Sequence, residues 1–333
     1  HRFTITYAVL VLVALFALVG GANFYQEYGY PGGVPNLGWP LWLLNSAQTS
    51  PPAARDPAAR EPLVQVFKNL APWLALHPQQ RAETFQSFPA HRKVYQDFYG
   101  HPEFDDYWRQ KGFYTTGYHK LMKDVPILFL TGWYDYFAEG VLENFSALAR
   151  RQKTPKKLIV GPWPHGIGRA ECGNGSFGPT AALDQQALAL DWFDHWMKGR
   201  AFKLAPPEAV QIFRMGGGAG PRDGWLHHGG EWRTAAAWPP PGARGARYYL
   251  DNGGDGRRAL AGAPPAEQQA SGFVFDPDYP VPTIGGRYGV GALAPNCAQN
   301  QVCSPKTLGC ADSSPLNLRA DVLSFSTAPL ESP

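Results

Sequence analysis

A chain of 333 residues is long enough for two domains and a sizeable buried core. With 44% apolar and only 17% charged residues, but 11 Trp, 37 Gly and 32 Pro, the composition points to an aromatic-lined enzyme with long loops and excludes a charged scaffold or a disordered chain. The net charge of +3 is small and evenly spread, and there is no basic run, zinc-spaced Cys/His set or phosphate loop, so neither nucleic acid nor a metal or other cofactor is expected.

Ala8 to Val19 is an unbroken apolar run with Arg2 ahead of it. It reads as a buried strand running into Gly20-Gly21. The competing reading is a signal-peptide core or short anchor, the run being short of the about 20 residues a membrane span needs. A chain that starts on His rather than Met is expected to be a fragment. Tyr25 to Pro62 reads as loop, punctuated by Tyr28-Gly-Tyr-Pro-Gly-Gly33 and Pro51-Pro52. Helical patterns follow: Leu63, Val66, Phe67 and Leu70 on one face, then Pro78 to Phe88, His91 to Tyr99, and a further helix from Asp105 toward Lys120. A helical block of this kind, ahead of a parallel sheet, is expected to cap its carboxyl edge.

Pro126 to Asp135 and Leu158 to His165 are two short apolar runs, each ending in Gly, Trp and one ionisable residue. Between them Val141, Leu142, Phe145 and Leu148 recur at helical spacing, so Phe137 to Arg151 is expected to be a helix within a βαβ unit. Reactive side chains in such sheets sit in loops past the carboxyl ends of the strands, where Asp135 and His165 fall. A second helix is expected over Ala181 to Lys198, with Leu183, Ala187, Leu190 and Trp196 as its stripe and Gly199 as its stop. Asp194 and His195 in its last turn fit ordinary helix-end chemistry better than catalysis. Val210 to Met215, Arg247 to Asp251, Gly272 to Asp276 and Asp321 to Thr327 read as short strands of a β-sandwich that is incomplete at four strands. Cys172 stands alone, whereas Cys297, Cys303 and Cys310 crowd one segment, as a disulfide within the trio or as free thiols. Adjacent His227-His228 is a poor metal chelate and reads as part of a turn.

Asp then His in consecutive βαβ loops is the order found in α/β-hydrolases, where a nucleophilic Ser comes earlier. No Gly-x-Ser-x-Gly elbow occurs in the 333 residues; Gly175-Ser176-Phe-Gly178 is the nearest and follows the His. Three longer stretches, Gly132-Trp-Tyr-Asp-Tyr-Phe137, Val160-Gly-Pro-Trp-Pro-His165 and Leu190-Asp-Trp-Phe-Asp-His-Trp-Met-Lys-Gly199, resemble the signatures of the cocaine esterase (CocE/NonD)/Xaa-Pro dipeptidyl-peptidase family. His101-Pro-Glu-Phe-Asp-Asp-Tyr-Trp108 resembles its cap. Gln211-Ile-Phe-Arg-Met-Gly216, Asp276-Pro-Asp-Tyr-Pro-Val-Pro-Thr-Ile-Gly-Gly286 and Asp321-Val-Leu-Ser-Phe-Ser326 resemble its β-domain, in the same order.

The resemblance implies an α/β fold: a partial α/β-hydrolase core with a parallel sheet and a helical cap, followed by an incomplete jelly roll. It divides the chain into residues 1–30 (strand and loop of the core), 31–122 (cap), 123–202 (C-terminal part of the core) and 203–333 (jelly roll). It implies a serine hydrolase acting on a small-molecule ester, amide or peptide through an acyl-enzyme, with Asp135 as triad acid, His165 as base and Phe137 as an acyl-pocket position. Trp133, Tyr134 and Trp163 are candidates for lining the site, loop packing being the alternative for all three. The nucleophile and oxyanion-hole tyrosine are expected before His1, leaving this chain inactive alone. A secreted or periplasmic location and a homodimer are compatible with this picture. The competing function is a non-enzymatic, membrane-tethered or secreted aromatic-rich binding module, suggested by the Ala8–Val19 run and the many Trp residues.

Overall fold

A computed structural model of the chain describes residues 13–253, 258–267, 269–288, 296–305, 307 and 309–329. Residues 8–12 of the N-terminal apolar run lie outside them. The rest of that run forms β1 (Leu15–Leu18), whose end residues Leu15 and Leu18 are more than a third exposed, as befits a sheet edge rather than a buried strand. After a π-helical turn at Tyr25–Gly29 come six helices: α1 (Gly38–Gln48), α2 (Pro51–Arg55), α3 (Pro57–Lys68), α4 (Leu70–Ala75), α5 (Pro78–Ala82) and α6 (Pro89–Gly100). A 3₁₀ segment, Thr115–Leu121, leads back to the core with β2 (Ile127–Gly132), α7 (Ala138–Arg151) and β3 (Lys156–Gly161). Two short strands, β4 (Glu171–Cys172) and β5 (Gly175–Ser176), precede α8 (Gln185–Lys198). The remainder is β6 (Val210–Met215), β7 (Pro221–Arg222), β8 (Trp225–His227), β9 (Gly230–Ala235), β10 (Tyr249–Asp251) and β11 (Ala259–Ala261).

The main sheet has the order β1-β2-β3-β6-β9, with the first four strands parallel to their neighbours and β9 antiparallel to β6. Every residue of β2 and β3 is buried, as a sheet covered on both faces requires. Alternate residues point to opposite faces. Ile127 and Phe129 pack with Val141, Phe145 and Leu148 of α7, while Leu128, Leu130 and Ile159 pack with Leu188 and Trp192 of α8. Two crossover helices on opposite faces make this an α/β layer structure with a helical cap and a further β-rich region. Among the described residues no helix is long and apolar enough to cross a membrane.

Four expectations are corrected. The loop expected from Tyr25 to Pro62 is largely helical, because its prolines start helices instead of interrupting them. Pro51 and Pro57 each open a helix behind a capping side chain, Ser50 Oγ accepting from Ala53 N (3.4 Å) and Asp56 Oδ1 from Ala59 N (3.0 Å). Conversely, no α-helix runs from Asp105 to Lys120. There Asp105 accepts from the nearby Tyr107 N–H (3.0 Å), and the chain turns around Trp108, which is buried among cap aromatics. In α8 the buried stripe is Leu188 and Trp192, with Leu190 63% exposed, and the helix starts at Gln185 behind the cap Asp184. Finally, Val210–Met215 joins the main sheet beside β3 rather than opening a sandwich. Of the other expected strands, Tyr249–Asp251 pairs with Ala259–Ala261, Gly272 to Asp276 has no strand pairing, and Asp321 to Thr327 contributes one bridge, Ala259 to Ser326.

The cysteines pair as Cys172–Cys297 and Cys303–Cys310. The second bridge lies within the expected trio. The first draws in Cys172, which is isolated in sequence, because β5 brings the loop after His165 against Ala298.

Candidate active site

The site is built where β2 and β3 end. Gly132 and Gly161 are partners in the parallel register, and the loops that follow cross at close range: Trp133 N donates to Gly161 O (2.9 Å) and Tyr134 N to Trp163 O (3.0 Å). A Cβ at residue 132 would lie 2.0 Å from the Trp163 carbonyl oxygen, so only glycine permits this crossing. The chain then turns tightly, Asp135 N donating to Gly132 O, and enters α7 at Ala138.

Asp135 is fully buried. Its Oδ1 accepts from Phe137 N (2.9 Å) and from His165 Nδ1 (3.2 Å), and its Oδ2 accepts from Thr131 Oγ1 (3.4 Å). The carboxylate also stands at the positive end of α7, which favours negative charge there. With a carboxylate as acceptor, the imidazole proton sits on Nδ1. The His165 side chain is 44% exposed, and its Nε2 makes no hydrogen bond among the described residues. The ring thus has a buried acceptor behind it and an open nitrogen in front of it. Tyr136 stacks on the ring at 4.6 Å with an interplanar angle of 19°, and Phe137 meets it edge-on at 5.7 Å. Tyr28, from the cap side, stacks on Tyr136 at 4.4 Å.

The structure thus brings Asp135, His165 and Phe137 together. The other three candidates face elsewhere. Trp163 is fully buried on the α8 face of the sheet, its Nε1 donating to Ala181 O (2.9 Å) and its ring packed on Trp232. Trp133 donates to Phe213 O (2.8 Å) and packs against Trp238, and Tyr134 packs against Phe177. These contacts are loop packing. They are made to the sheet, β-rich region and adjoining segments rather than to the cap. Ser176 is a strand residue in β5, paired with Glu171 and His227. Asp194 pairs with Lys198 and Arg200, and His195 Nδ1 donates to Arg200 O (2.6 Å), as at an ordinary helix end. His227 donates to Arg222 O while His228 stacks on Phe177, so the two rings serve different partners. Among the described residues no group of three His, Cys, Asp or Glu side chains is placed to hold a metal ion.

Two contributors were missed from sequence. Tyr136 sits inside the quoted motif, but nothing in its spacing says that its ring lies on the histidine. Glu27 lies far from it in sequence, in the turn after β1. Its Oε1 accepts from Ala22 N (2.9 Å) and Asn23 N (2.7 Å), and the carboxyl lies so near the first turn of α7 that a Cβ at Gly140 would sit 2.3 Å from Oε1. Burial raises its pKa from 4.5 to about 7, against the pull of the two backbone N–H donors; Glu143 and Glu139 add to the rise. Asn144 of α7 donates to Gly21 O (3.2 Å) and so ties the β1 loop to the helix that begins beside Phe137, while Glu27 braces that loop from within. A lone Glu among Tyr and Gly gives no periodic signal.

Residues 5–167, which include both Asp135 and His165, match the family model of X-Pro dipeptidyl-peptidase (S15 family). Over 97% of its length the chain is 26% identical to cocaine esterase of Rhodococcus sp. (strain MB1 Bresler), and it spans about half (53%) of that relative. Two crystal structures of a CocE/NonD family hydrolase from Staphylococcus aureus align with 76% and 75% of the chain and 34% of theirs, at 19% and 17% identity and TM-scores of 0.46 and 0.44. By its matched sequence, the chain resembles the cocaine esterase (CocE/NonD)/X-Pro dipeptidyl-peptidase hydrolases.

Proposed function

We propose that this chain supplies the acid and the base of a serine hydrolase that cleaves esters or amides through an acyl-enzyme. The observation that carries this reading is the 3.2 Å contact between His165 Nδ1 and fully buried Asp135, with Nε2 left open at the carboxyl edge of the parallel sheet. In this mechanism Nε2 takes the proton of a serine hydroxyl as its oxygen attacks the acyl carbon, then returns that proton to the departing alcohol or amine. Water repeats the sequence on the acyl-enzyme and regenerates the serine. Asp135 keeps the proton on Nδ1 and stabilises the imidazolium formed at each step. Phe137, edge-on to the imidazole, is assigned to the wall of the acyl site, and Tyr136 covers the face of the ring. No Gly-x-Ser-x-Gly elbow is present in these 333 residues, so the serine is assigned to sequence outside them, and the chain alone is expected to be inactive.

The test uses the gene product that contains this chain, with p-nitrophenyl acetate as substrate. Asp135→Asn should lower kcat/KM by about 10⁴-fold, and His165→Ala at least as far. Full turnover in either variant, with an unchanged unfolding midpoint, sinks the assignment.

A further inference from the structure

The imidazole of His165 is tied at one point only. Its Nδ1 donates to Asp135 Oδ1 at 3.2 Å, and its side chain is 44% exposed. A single hydrogen bond of that length fixes one edge of the ring and leaves its plane free to swing. Two aromatic rings set the plane. Tyr136 lies on the face, with centroids 4.6 Å apart at 19°, and Phe137 closes one side edge-on at 5.7 Å and 65°. Tyr136 is held in turn. It meets Phe137 at 4.6 Å and 72°, and Tyr28 stacks on it at 4.4 Å and 24°. Tyr28 belongs to the buried core of the cap, where Phe24 packs edge-on against it at 5.6 Å. A series of three near-parallel rings, Tyr28, Tyr136 and His165, therefore runs from the cap core to the histidine.

The series also has an electrostatic effect. The face of an aromatic ring is the negative part of its quadrupole and attracts a cation within about 6 Å, an effect worth about two- to thirtyfold in a rate. A general base is neutral before reaction and positive while it holds the proton of the nucleophile, so this attraction grows on the way to the transition state. Among the described residues Asp135 is the only ion-pair partner of His165, and it meets the ring at its Nδ1 edge. The face of the imidazolium is left to Tyr136. The phenol itself is neutral at working pH, because burial, and then the charge of Asp135, push its pKa up to about 12.

We propose that Tyr136 is a positioning residue for the base, holding the plane of the His165 imidazole and stabilising its protonated form, and that Tyr28 anchors Tyr136 to the cap. The seating of the cap thereby sets how well the base works. This role rests on His165 being the base.

The test measures kcat/KM for p-nitrophenyl acetate on the gene product that contains this chain, with unfolding midpoints recorded beside it. Tyr136→Leu should lower kcat/KM by about tenfold, and Tyr136→Phe, which restores a ring, should recover most of that loss. Pentafluorophenylalanine placed at residue 136 keeps the shape of Phe but has an electron-poor face, and it should be at least about threefold slower than Tyr136→Phe. Tyr136 is half-buried, and the comparison of the two ring variants decides the matter should Tyr136→Leu fail to fold. Tyr28→Leu should lower kcat/KM by about threefold, with Tyr28→Phe recovering the loss. Turnover of Tyr136→Leu equal to wild type, or equal rates for the two ring variants, would overturn the role of Tyr136, and an unimpaired Tyr28→Leu would overturn the link to the cap. His165→Ala, measured alongside, separates the two readings. If it turns over fully, the assignment of the base fails; if it is inactive while Tyr136→Leu is unimpaired, only the role of Tyr136 fails.

Discussion

Asp135 is held by three hydrogen bonds from three different directions: a strand threonine, the backbone entering α7, and the histidine of the next loop. Its position was readable from sequence because the acid closes an apolar run that ends in glycine, and the same holds for His165. Tyr136 and Glu27 were not readable, since their roles depend on which loops meet in space. Glu27 yields a pH prediction. Its folded pKa, about 7, lies above its ordinary 4.5, so between those values the unfolded chain loses the proton first. Stability from this group is full below about pH 4.5 and falls as pH rises through 7, by up to about 3 kcal/mol. Glu27→Gln removes the titrating group at nearly constant shape. Urea midpoints measured at pH 4.5 and 7.5 should therefore differ less in the variant than in the wild type. An identical difference in both would show that Glu27 does not carry this linkage.

Among the elements, α7 and α8 were the most legible, because each has an apolar face and a definite stop. Gly199 at φ 69° ends α8 in the left-handed conformation that glycine adopts readily. The start of α8 was misjudged by four residues, since Ala181 and Ala182 are good helix formers but Asp184 is the cap. Its Oδ1 accepts from Gln186 N (3.0 Å) and Ala187 N (2.9 Å). Asp184→Ala should therefore cost about 1 kcal/mol, seen as a lower urea midpoint with an unchanged slope. No loss of stability would mean that the helix is held wholly by Leu188 and Trp192 against the sheet. The cap helices were obscured by their own prolines, which look like breakers until the Ser50 and Asp56 caps are recognised.

At the scale of the whole molecule, the α/β class and the cap were visible in the order of apolar runs. The extent of the main sheet was not. β6 is only partly buried, with Val210 and Phe213 its buried residues, yet it lies parallel to β3 and carries β9 on its other edge. Local pattern reports burial; it does not report which strand is the neighbour. The site shares this property, because its two halves lie thirty residues apart and meet only through the register that places Gly132 beside Gly161. The chain spans about half of the cocaine esterase it resembles, so the decisive measurement concerns the gene product that contains it. That measurement is the rate at which a fluorophosphonate labels the protein, compared with His165→Gln. If His165 is the base that activates a serine, the wild type is labelled rapidly at a single serine and the variant slowly or not at all. Equal labelling rates in the two, or no labelling of a folded wild type, would contradict it.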